Sequence, residues 1–322
     1  MKRILSIILT ACLVAVAFVG LRFYTFDKVL PNAHFGMRAI CHTDDISDLY
    51  IGSSAFRQAI DAQRLNENAF LLAYNSNMPC LEALQVKYLI ENGAKFDRLV
   101  VDMYPFSLVS EAGLYDTRML MDGDLHFISD IHSTLHNNSR SSASLYDMLV
   151  LQNNEFFATL PVSYPLINAR NERGSKTTIN HGKDMVHRQI IDILQADEDS
   201  RPEKTIPLKD CQIAGLDEMI ALCRARDNDI LFLETPKYCL LYEINIYNHL
   251  MADYAKLLSE RAIPMIVSKK TREMLSGTEI DDSLVQTYDF DDDNNIYFSD
   301  EIHLSYEGRQ AFLKELKQLM DR

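Results

Sequence analysis

Two short motifs near opposite ends of the sequence hold the residue types that acyl transfer requires. Ser54 lies in the run Gly52-Ser53-Ser54, after an apolar segment that predicts a strand and before a segment that predicts a helix. Asp300 precedes His303 by three residues near the other end of the chain. A serine hydroxyl attacks an ester when a base takes its proton and an acid orients that base. We therefore predict that Ser54, His303 and Asp300 form a catalytic triad.

The predicted position of Ser54 also suits this chemistry. A residue where a strand ends and a helix begins faces unpaired backbone N–H groups and the positive end of the helix dipole. Such groups stabilise the oxyanion that forms when a serine attacks an acyl carbon. Each residue also has a structural alternative. Ser54 could be a helix N-cap, His303 a loop histidine bonded to backbone, and Asp300 the cap of a short turn.

Further residues are candidates for holding the oxyanion or the substrate. A backbone N–H near Ala73 could donate to the oxyanion, and the side chains of Asn75 and Asn77 could replace a missing amide donor. Asp102 ends a predicted strand, and open α/β sheets bind ligands at the carboxyl ends of their strands. Arg57 lies one turn after Ser54, where it would bind an anionic substrate group or form a surface salt bridge.

Apolar runs and helical spacings alternate on both sides of a polar middle region, and this alternation predicts an α/β fold. We predict a three-layer α/β/α domain with a mostly parallel sheet. The predicted strands are Asp48–Gly52, Asn68–Tyr74, Leu99–Met103, Ile230–Glu234, Pro264–Ser268 and Leu284–Asp289. The predicted helices are Ala55–Leu65, Cys80–Asn92, Leu216–Arg226, Tyr242–Arg261 and Tyr306–Met320.

The N-terminal segment predicts a membrane anchor over residues 1–25, followed by an extended stalk over 26–46. Lys2-Arg3 precedes an uncharged run from Ile4 to Leu21, which is about long enough to span a bilayer and would leave the body outside the cytoplasm. The alternatives are a cleaved signal peptide and a lipoprotein, because Leu9-Thr10-Ala11-Cys12 resembles a lipoprotein processing box. Residues 47–322 would form the domain, with a helical insertion at about 107–205.

The composition excludes several classes of function. The formal net charge of -14 argues against a nucleic-acid partner. The six cysteines show no metal-binding spacing, and the five outside the apolar run cannot all pair. Three histidines in the insertion (His126, His132 and His136) lack a convincing spacing for a metal. We therefore expect no metal and no cofactor.

The two catalytic motifs together resemble those of the SGNH, or GDSL-like, hydrolase superfamily. Its nucleophilic serine is the third residue of a Gly-Asp-Ser-type block, matched here by Gly52-Ser53-Ser54, and its Asp-x-x-His pair matches Asp300 and His303. The resemblance covers roughly residues 46–106 and 228–322. It implies an SGNH or flavodoxin-like fold with Ser54 as nucleophile.

The layout also looks like a membrane-anchored branch of that superfamily that serves cell-envelope polymers, such as the alginate O-acetylation proteins and the D-alanyl transfer protein. The runs IGSSAFRQAID and LFLETPKY carry this likeness. It implies an acylated polysaccharide or acyl donor as substrate, with a membrane-bound acyl-transfer protein as a possible partner. The expected activity is that of an extracytoplasmic esterase or O-acyltransferase at the inner or cytoplasmic membrane.

The chain departs from the superfamily at the oxyanion donors. The family has a glycine after the second strand and an asparagine after the third. Here the second predicted strand leads into Tyr74-Asn75-Ser76, and the third into Met103-Tyr104. Losing one such donor typically costs about 10²–10³ in rate. The alternative hypothesis is therefore an inactive member that binds a polysaccharide or a membrane partner.

Overall fold

A six-stranded parallel sheet organises the chain. The computed structural model describes residues 2–24, 36–116, 118–138, 144–145, 147–149 and 206–320. The strands are β1 (Ile46–Gly52), β2 (Phe70–Ala73), β3 (Phe96–Asp102), β4 (Asp229–Leu233), β5 (Met265–Ser268) and β6 (Val285–Tyr288). Their order is β2-β1-β3-β4-β5-β6, and all five pairings are parallel. The predicted α/β fold with a mostly parallel sheet is confirmed.

The central strands are apolar on both faces because helices cover the sheet from both sides. Leu49, Tyr50 and Ile51 on β1 are all fully buried. Leu49 and Ile51 belong to one hydrophobic cluster, whereas Tyr50 and Val100 belong to a second cluster on the opposite face. Alternate residues of one strand therefore enter two different cores, which gives the three layers that the sequence predicts.

Eleven α-helices lie within the described ranges. They are α1 (Lys2–Tyr24), α2 (Gly36–Cys41), α3 (Ser54–Ala59), α4 (Ala62–Leu65), α5 (Pro79–Glu91), α6 (Met119–Asp122), α7 (Leu125–Asn138), α8 (Asp210–Arg224), α9 (Asn245–Glu260), α10 (Lys269–Met274) and α11 (Tyr306–Met320). Helices α5, α8 and α9 contribute to the first cluster, and α3, α4 and α11 to the second. A Cβ added to Gly215 on α8 would lie 2.5 Å from the backbone of Cys80, so only glycine allows α5 and α8 to pack this closely.

Two predicted helices differ from the observed ones. The single helix predicted over Ala55–Leu65 is two helices, because Ile60 adopts an extended backbone and ends α3. The Ile60 side chain is buried in the second hydrophobic cluster, so packing outweighs the local preference for a continuous helix. The helix predicted from Tyr242 begins at Asn245, after a 3₁₀ helix over Cys239–Glu243.

The N-terminal segments also differ from the prediction. Nowhere in the described part of the chain is a helix both long and apolar enough to cross a bilayer, so the predicted anchor over residues 1–25 is unsupported. Part of the predicted stalk is not extended, because α2 buries Met37 and Ile40 in the first cluster. Most of the predicted insertion, residues 150–205, lies outside the described residues. The six cysteines all lie in the described ranges and form no disulfide with one another.

Candidate active site

The structure brings the two remote motifs together at the carboxyl ends of the central strands. Ser54 begins α3 directly after β1, and its Oγ lies 3.0 Å from Nε2 of His303, which is 249 positions away in the sequence. Ser54 and His303 are both partly exposed. The pair is therefore at hydrogen-bonding distance and accessible to a substrate.

Asp300 holds the other nitrogen of the His303 ring. The two carboxylate oxygens lie 2.9 and 2.8 Å from Nδ1 of His303. The same carboxylate accepts hydrogen bonds from the backbone N–H groups of Ile302 and His303, at 3.0 and 2.9 Å. One aspartate thus shapes the loop and orients the imidazole, so that Nδ1 carries its proton toward Asp300 and Nε2 faces Ser54.

The electrostatics of Asp300 agree with this arrangement. Burial by itself raises the pKa of the Asp300 carboxyl, but the hydrogen bonds and charge of His303, with the two backbone N–H groups, lower it more. The net pKa lies below that of an ordinary aspartate. Asp300 therefore stays ionised at neutral pH, as the orienting acid of a triad must.

The loop that carries His303 is anchored at both sides. The backbone N–H of Ser299 donates to the carbonyl of His303 at 2.8 Å, and Phe298 and Leu304 form an antiparallel bridge. The N–H of Tyr238 donates to the carbonyl of Glu301 at 3.0 Å, which ties the loop to the segment after β4. These bonds hold the imidazole against the first strand although no regular element contains it.

A second carboxylate positions the turn before Ser54. Asp102, the last residue of β3, accepts hydrogen bonds from the hydroxyl of Ser53 at 2.6 Å and from its backbone N–H at 3.3 Å. A Cβ on Gly52 would lie 2.5 Å from the Cβ of Asp102, so the two strands approach this closely only with glycine there. The sequence allows Asp102 either a substrate contact or a structural hydrogen bond; the residue is 4% exposed and bonds the turn.

Lys237 is a residue of this region that the sequence analysis missed. It is fully buried, and its Nζ donates to the backbone oxygen and to the hydroxyl of Thr235, at 3.0 and 2.5 Å. It also lies 5.6 Å from the ring centroid of Tyr104, two residues after Asp102. Burial raises the pKa of Asp102, and the charge of Lys237 opposes that rise. The sequence did contain one signal for this residue, which is that a lysine follows closely after a predicted buried strand.

The predicted oxyanion donors are mostly engaged elsewhere. Asn77 is buried and exchanges amide hydrogen bonds with Gln85, so it is not positioned to hold an oxyanion. The N–H of Tyr74, next to Ala73, donates to the carbonyl of Gly52 at 3.1 Å. The N–H of Asn75 donates to Asp116 at 2.9 Å. Among these candidates, the side chain of Asn75 is exposed, and its amide nitrogen remains as a donor.

Arg57 does not form the salt bridge that was its structural alternative. Its Nη2 donates to Oδ1 of Asn75 at 2.8 Å, and within the described ranges it has no carboxylate within ion-pair distance. Asp116, which could have paired with it, is bound by Arg118 instead. Asp116 and Arg118 were not singled out from the sequence, because nothing in their spacing links them to Ser54.

The described residues offer no metal site. No group of three or more histidine, cysteine, aspartate or glutamate side chains among them is arranged to hold an ion. His132 and His136 stack on each other on α7, with ring centroids 5.9 Å apart.

Comparisons with known proteins give little further information. No family model and no curated protein matches the sequence. Fifteen chains of solved structures match. One of them is described as a candidate platelet activating factor from Streptococcus pneumonia; it is 13% identical, the match covers 95% of this chain and 98% of that chain, and the TM-score is 0.32. A TM-score this low supports no conclusion about the function of this chain.

Proposed function

We propose that this chain is a serine esterase or O-acyltransferase in which Ser54 is the nucleophile, His303 the base and Asp300 the orienting acid. The observation that supports the proposal best is the 3.0 Å contact between Ser54 Oγ and His303 Nε2, with Asp300 on the opposite ring nitrogen. Chance rarely unites a serine, a histidine and an aspartate in this order. The resemblance to the SGNH superfamily assigns the same three roles.

The proposed reaction has two steps. Ser54 Oγ attacks the carbonyl carbon of an acyl ester while Nε2 of His303 takes the hydroxyl proton. The ester C–O bond then breaks, and the leaving alcohol takes that proton from His303. In the second step water or an acceptor hydroxyl gives its proton to His303 and attacks the acyl-serine. The bond between the acyl carbon and Ser54 Oγ then breaks, and His303 returns the proton to Oγ. Asp300 holds Nδ1–H throughout and stabilises the imidazolium.

Backbone N–H groups at the start of α3 are the proposed oxyanion donors. The first N–H groups of a helix have no acceptor within the helix, and Ser54 is the first residue of α3. They face the region in which the carbonyl oxygen becomes negative as Ser54 attacks. This assignment replaces the glycine and asparagine of the SGNH pattern, neither of which this chain has.

The substrate class and the cellular location rest on the resemblance alone. We propose that the acyl group belongs to a cell-envelope polysaccharide or to its acyl donor, and that the body acts outside the cytoplasm. A membrane-bound acyl-transfer protein would be the natural partner, because it would deliver the donor.

Covalent labelling with a fluorophosphonate probe tests the proposal. Attack by Ser54 on phosphorus expels fluoride and leaves a stable adduct, which mass spectrometry locates to a peptide. The wild-type chain should label at Ser54, Ser54→Ala should not, and Ser53→Ala should still label. Absence of labelling in a correctly folded wild type, under conditions in which a known serine hydrolase reacts, would overturn the proposal.

The alternative is a non-catalytic protein that keeps the fold and binds a polysaccharide or a membrane partner. The engagement of Asn77 with Gln85 and of the Asn75 N–H with Asp116 favours it, because it removes two oxyanion donors. In that case Ser54→Ala would retain polysaccharide binding and full cellular function. If Ser54→Ala abolishes function while binding persists, the catalytic proposal stands.

A further inference from the structure

Arg57 has an unusual environment for an arginine beside a nucleophile. Its Nη2 donates to the amide oxygen of Asn75, which is neutral. Its Nη1 is buried and has no hydrogen-bond partner among the described residues. Buried polar atoms are nearly always paired, so an unpaired guanidinium nitrogen needs an explanation.

The carboxylate that acts electrostatically on Arg57 is already in an ion pair. Asp116 accepts from Nε of Arg118 at 2.8 Å through Oδ1, and Nη2 of Arg118 bonds Oδ2. Oδ2 also accepts the backbone N–H of Asn75 at 2.9 Å. Asp116 therefore pairs with Arg118, and Arg57 has no ion-pair partner among the described residues.

The charge of Arg57 is nevertheless permanent. Burial and the nearby charge of Arg118 both lower the pKa of Arg57, against a smaller opposing effect of Asp116. Arginine remains protonated in proteins even so, because its ordinary pKa is above about 12. The chain as a whole carries a net charge of -14. A partly buried, unpaired cation in such a chain creates a local positive potential beside Ser54.

The hydrogen bond between Arg57 and Asn75 lies at an exposed position, one helical turn from Ser54. Residues three apart on a helix lie on the same face, with Cβ atoms about 5–6 Å apart, so Arg57 is a neighbour of Ser54 on α3. Asn75 is exposed. Because its amide oxygen accepts from Arg57, its NH₂ group is turned away from the guanidinium and can donate to a second group.

We propose that Arg57 and Asn75 form an anion subsite beside Ser54, which binds a carboxylate or phosphate group carried by the substrate close to the scissile ester. The proposal rests on the proposed function in that it takes Ser54 as the reacting group. Nη2 of Arg57 has a second N–H besides the one that Asn75 accepts, and the NH₂ group of Asn75 is a further donor, so the two side chains can bind one anionic group together. The subsite gives the enzyme a preference for anionic esters.

Direct binding of anions tests the subsite without relying on catalysis. The melting temperature of the full-length chain is measured with inorganic phosphate, with acetate, and with chloride at equal ionic strength. A ligand that binds only the folded state stabilises it by RT ln(1 + [L]/Kd), and the melting temperature rises accordingly. We expect phosphate or acetate to raise it in the wild type, and Arg57→Gln to lose most of that rise. The more effective anion identifies the group that the substrate carries.

Arg272→Gln is the matched control for charge. Arg272 lies on α10, which follows β5. In the sheet β5 is three strands away from β1, so the two strands are about 14 Å apart. It pairs with the exposed Asp282. This variant removes the same charge from the chain and should keep the wild-type response to anions. An equal response in Arg57→Gln and the wild type would overturn the proposal, as would the absence of any anion-specific rise.

Hydrolysis of matched esters tests specificity. For the wild type, kcat/KM is measured with mono-p-nitrophenyl succinate, which is anionic, and with p-nitrophenyl butyrate, which is neutral. Arg57→Gln should lower the ratio of the two values by about tenfold or more, because charged hydrogen bonds are the strong ones, and Arg57→Lys should retain part of it. An unchanged ratio overturns the subsite and leaves the triad intact. If neither ester is hydrolysed, labelling of Ser54 by the fluorophosphonate probe still decides the proposed function, and the melting experiment alone decides the subsite.

Discussion

The hydroxyl of Ser53 donates a 2.6 Å hydrogen bond to the carboxylate of Asp102, forty-nine positions later in the chain. The backbone N–H of Ser53 donates to the same oxygen. The turn that presents Ser54 is thus tied to the end of the neighbouring strand by an acid that is not part of the triad. The conformation of the nucleophile's backbone depends on this buried contact as well as on α3.

Asp102→Ala should destabilise the fold and slow the reaction. It leaves the hydroxyl and N–H of Ser53 without their acceptor in a buried position, which costs about 1–3 kcal/mol of unfolding free energy. Urea denaturation measures that loss, and the rate of fluorophosphonate labelling measures the effect on Ser54. Labelling should be slower yet still located at Ser54. Unchanged stability and labelling would show that the Ser53 contact is not needed.

Gly52→Ala should be more damaging than an alanine substitution at an ordinary strand position. The new Cβ would lie 2.5 Å from the Cβ of Asp102 and 2.9 Å from the ring of Phe56, so β1 must shift from β3 or α3. Overpacking of this kind typically costs about 1–3 kcal/mol. Thermal unfolding measures the loss. Gly277→Ala is a useful contrast, because a Cβ there meets nothing within 4 Å and only its positive φ of 85° is strained. If Gly52→Ala melts at the wild-type temperature, the contact is not rigid.

Asp300→Asn should lower kcat strongly while leaving the fold intact. The amide is nearly the same shape, but it carries no charge to stabilise the imidazolium and can favour the wrong tautomer of His303. We expect a loss of about 10²–10⁴ in kcat, the range typical of general acid–base and triad positions. Steady-state hydrolysis of p-nitrophenyl butyrate measures it. Activity within a factor of about two of the wild type would remove Asp300 from the triad.

The lowered pKa of Asp300 predicts how its contribution to stability depends on pH. A carboxyl whose folded pKa is depressed stabilises the fold above its unfolded pKa, about 3.9 for aspartate, and the stabilisation is lost as the pH falls through the folded value. The difference in unfolding free energy between the wild type and Asp300→Asn should therefore be constant from pH 7 to about pH 5 and shrink below about pH 4. Guanidinium denaturation at several pH values measures it. A difference that grows in acid would contradict the assignment.

Lys237→Met should move the acid limb of the pH–rate profile to higher pH. The ammonium opposes the rise that burial causes in the pKa of Asp102, so without it Asp102 becomes protonated at a higher pH and no longer accepts both Ser53 donors as an anion. The measurement is kcat/KM against pH. Lys314→Met, at an exposed position of α11, serves as the matched control and should keep the wild-type profile. A shift in neither variant would indicate that Lys237 acts only in packing.

The sequence predicted the strands well, because the central ones, β1, β3, β4 and β5, are short and mostly apolar runs that are largely buried. All six predicted strands occur as β1 to β6, and the predicted ends differ from the observed ends by a few residues. The break of the first predicted helix at Ile60 was not predictable, because it follows from burial of that side chain against the second cluster. The local spacing of apolar residues favours one continuous helix, and tertiary packing decides at which of these residues the helix ends.

The sequence identified the three proposed catalytic residues through their types and spacing, and it failed for the residues around them. Asn77 was a candidate side-chain donor to the oxyanion, yet it is buried and bonded to Gln85. Lys237 lies in the run LFLETPKY, which does not indicate its role, although it is fully buried beside Tyr104. Hydrogen-bond partners of this kind lie on other strands and helices, so they cannot be inferred from spacing along the chain.

The sequence by itself indicated the alternation of strands and helices in a mostly parallel α/β fold. It also indicated the three proposed catalytic residues, Ser54, His303 and Asp300. Both follow from apolar runs and motif spacing, which are local properties. The tertiary structure alone decided that Ser54 and His303 lie 3.0 Å apart, that Asp102 supports the turn, and that Arg57 has no carboxylate partner among the described residues. Each of these depends on groups far apart in the chain. Their distances are fixed by the packing of helices on a shared sheet, which no single segment encodes.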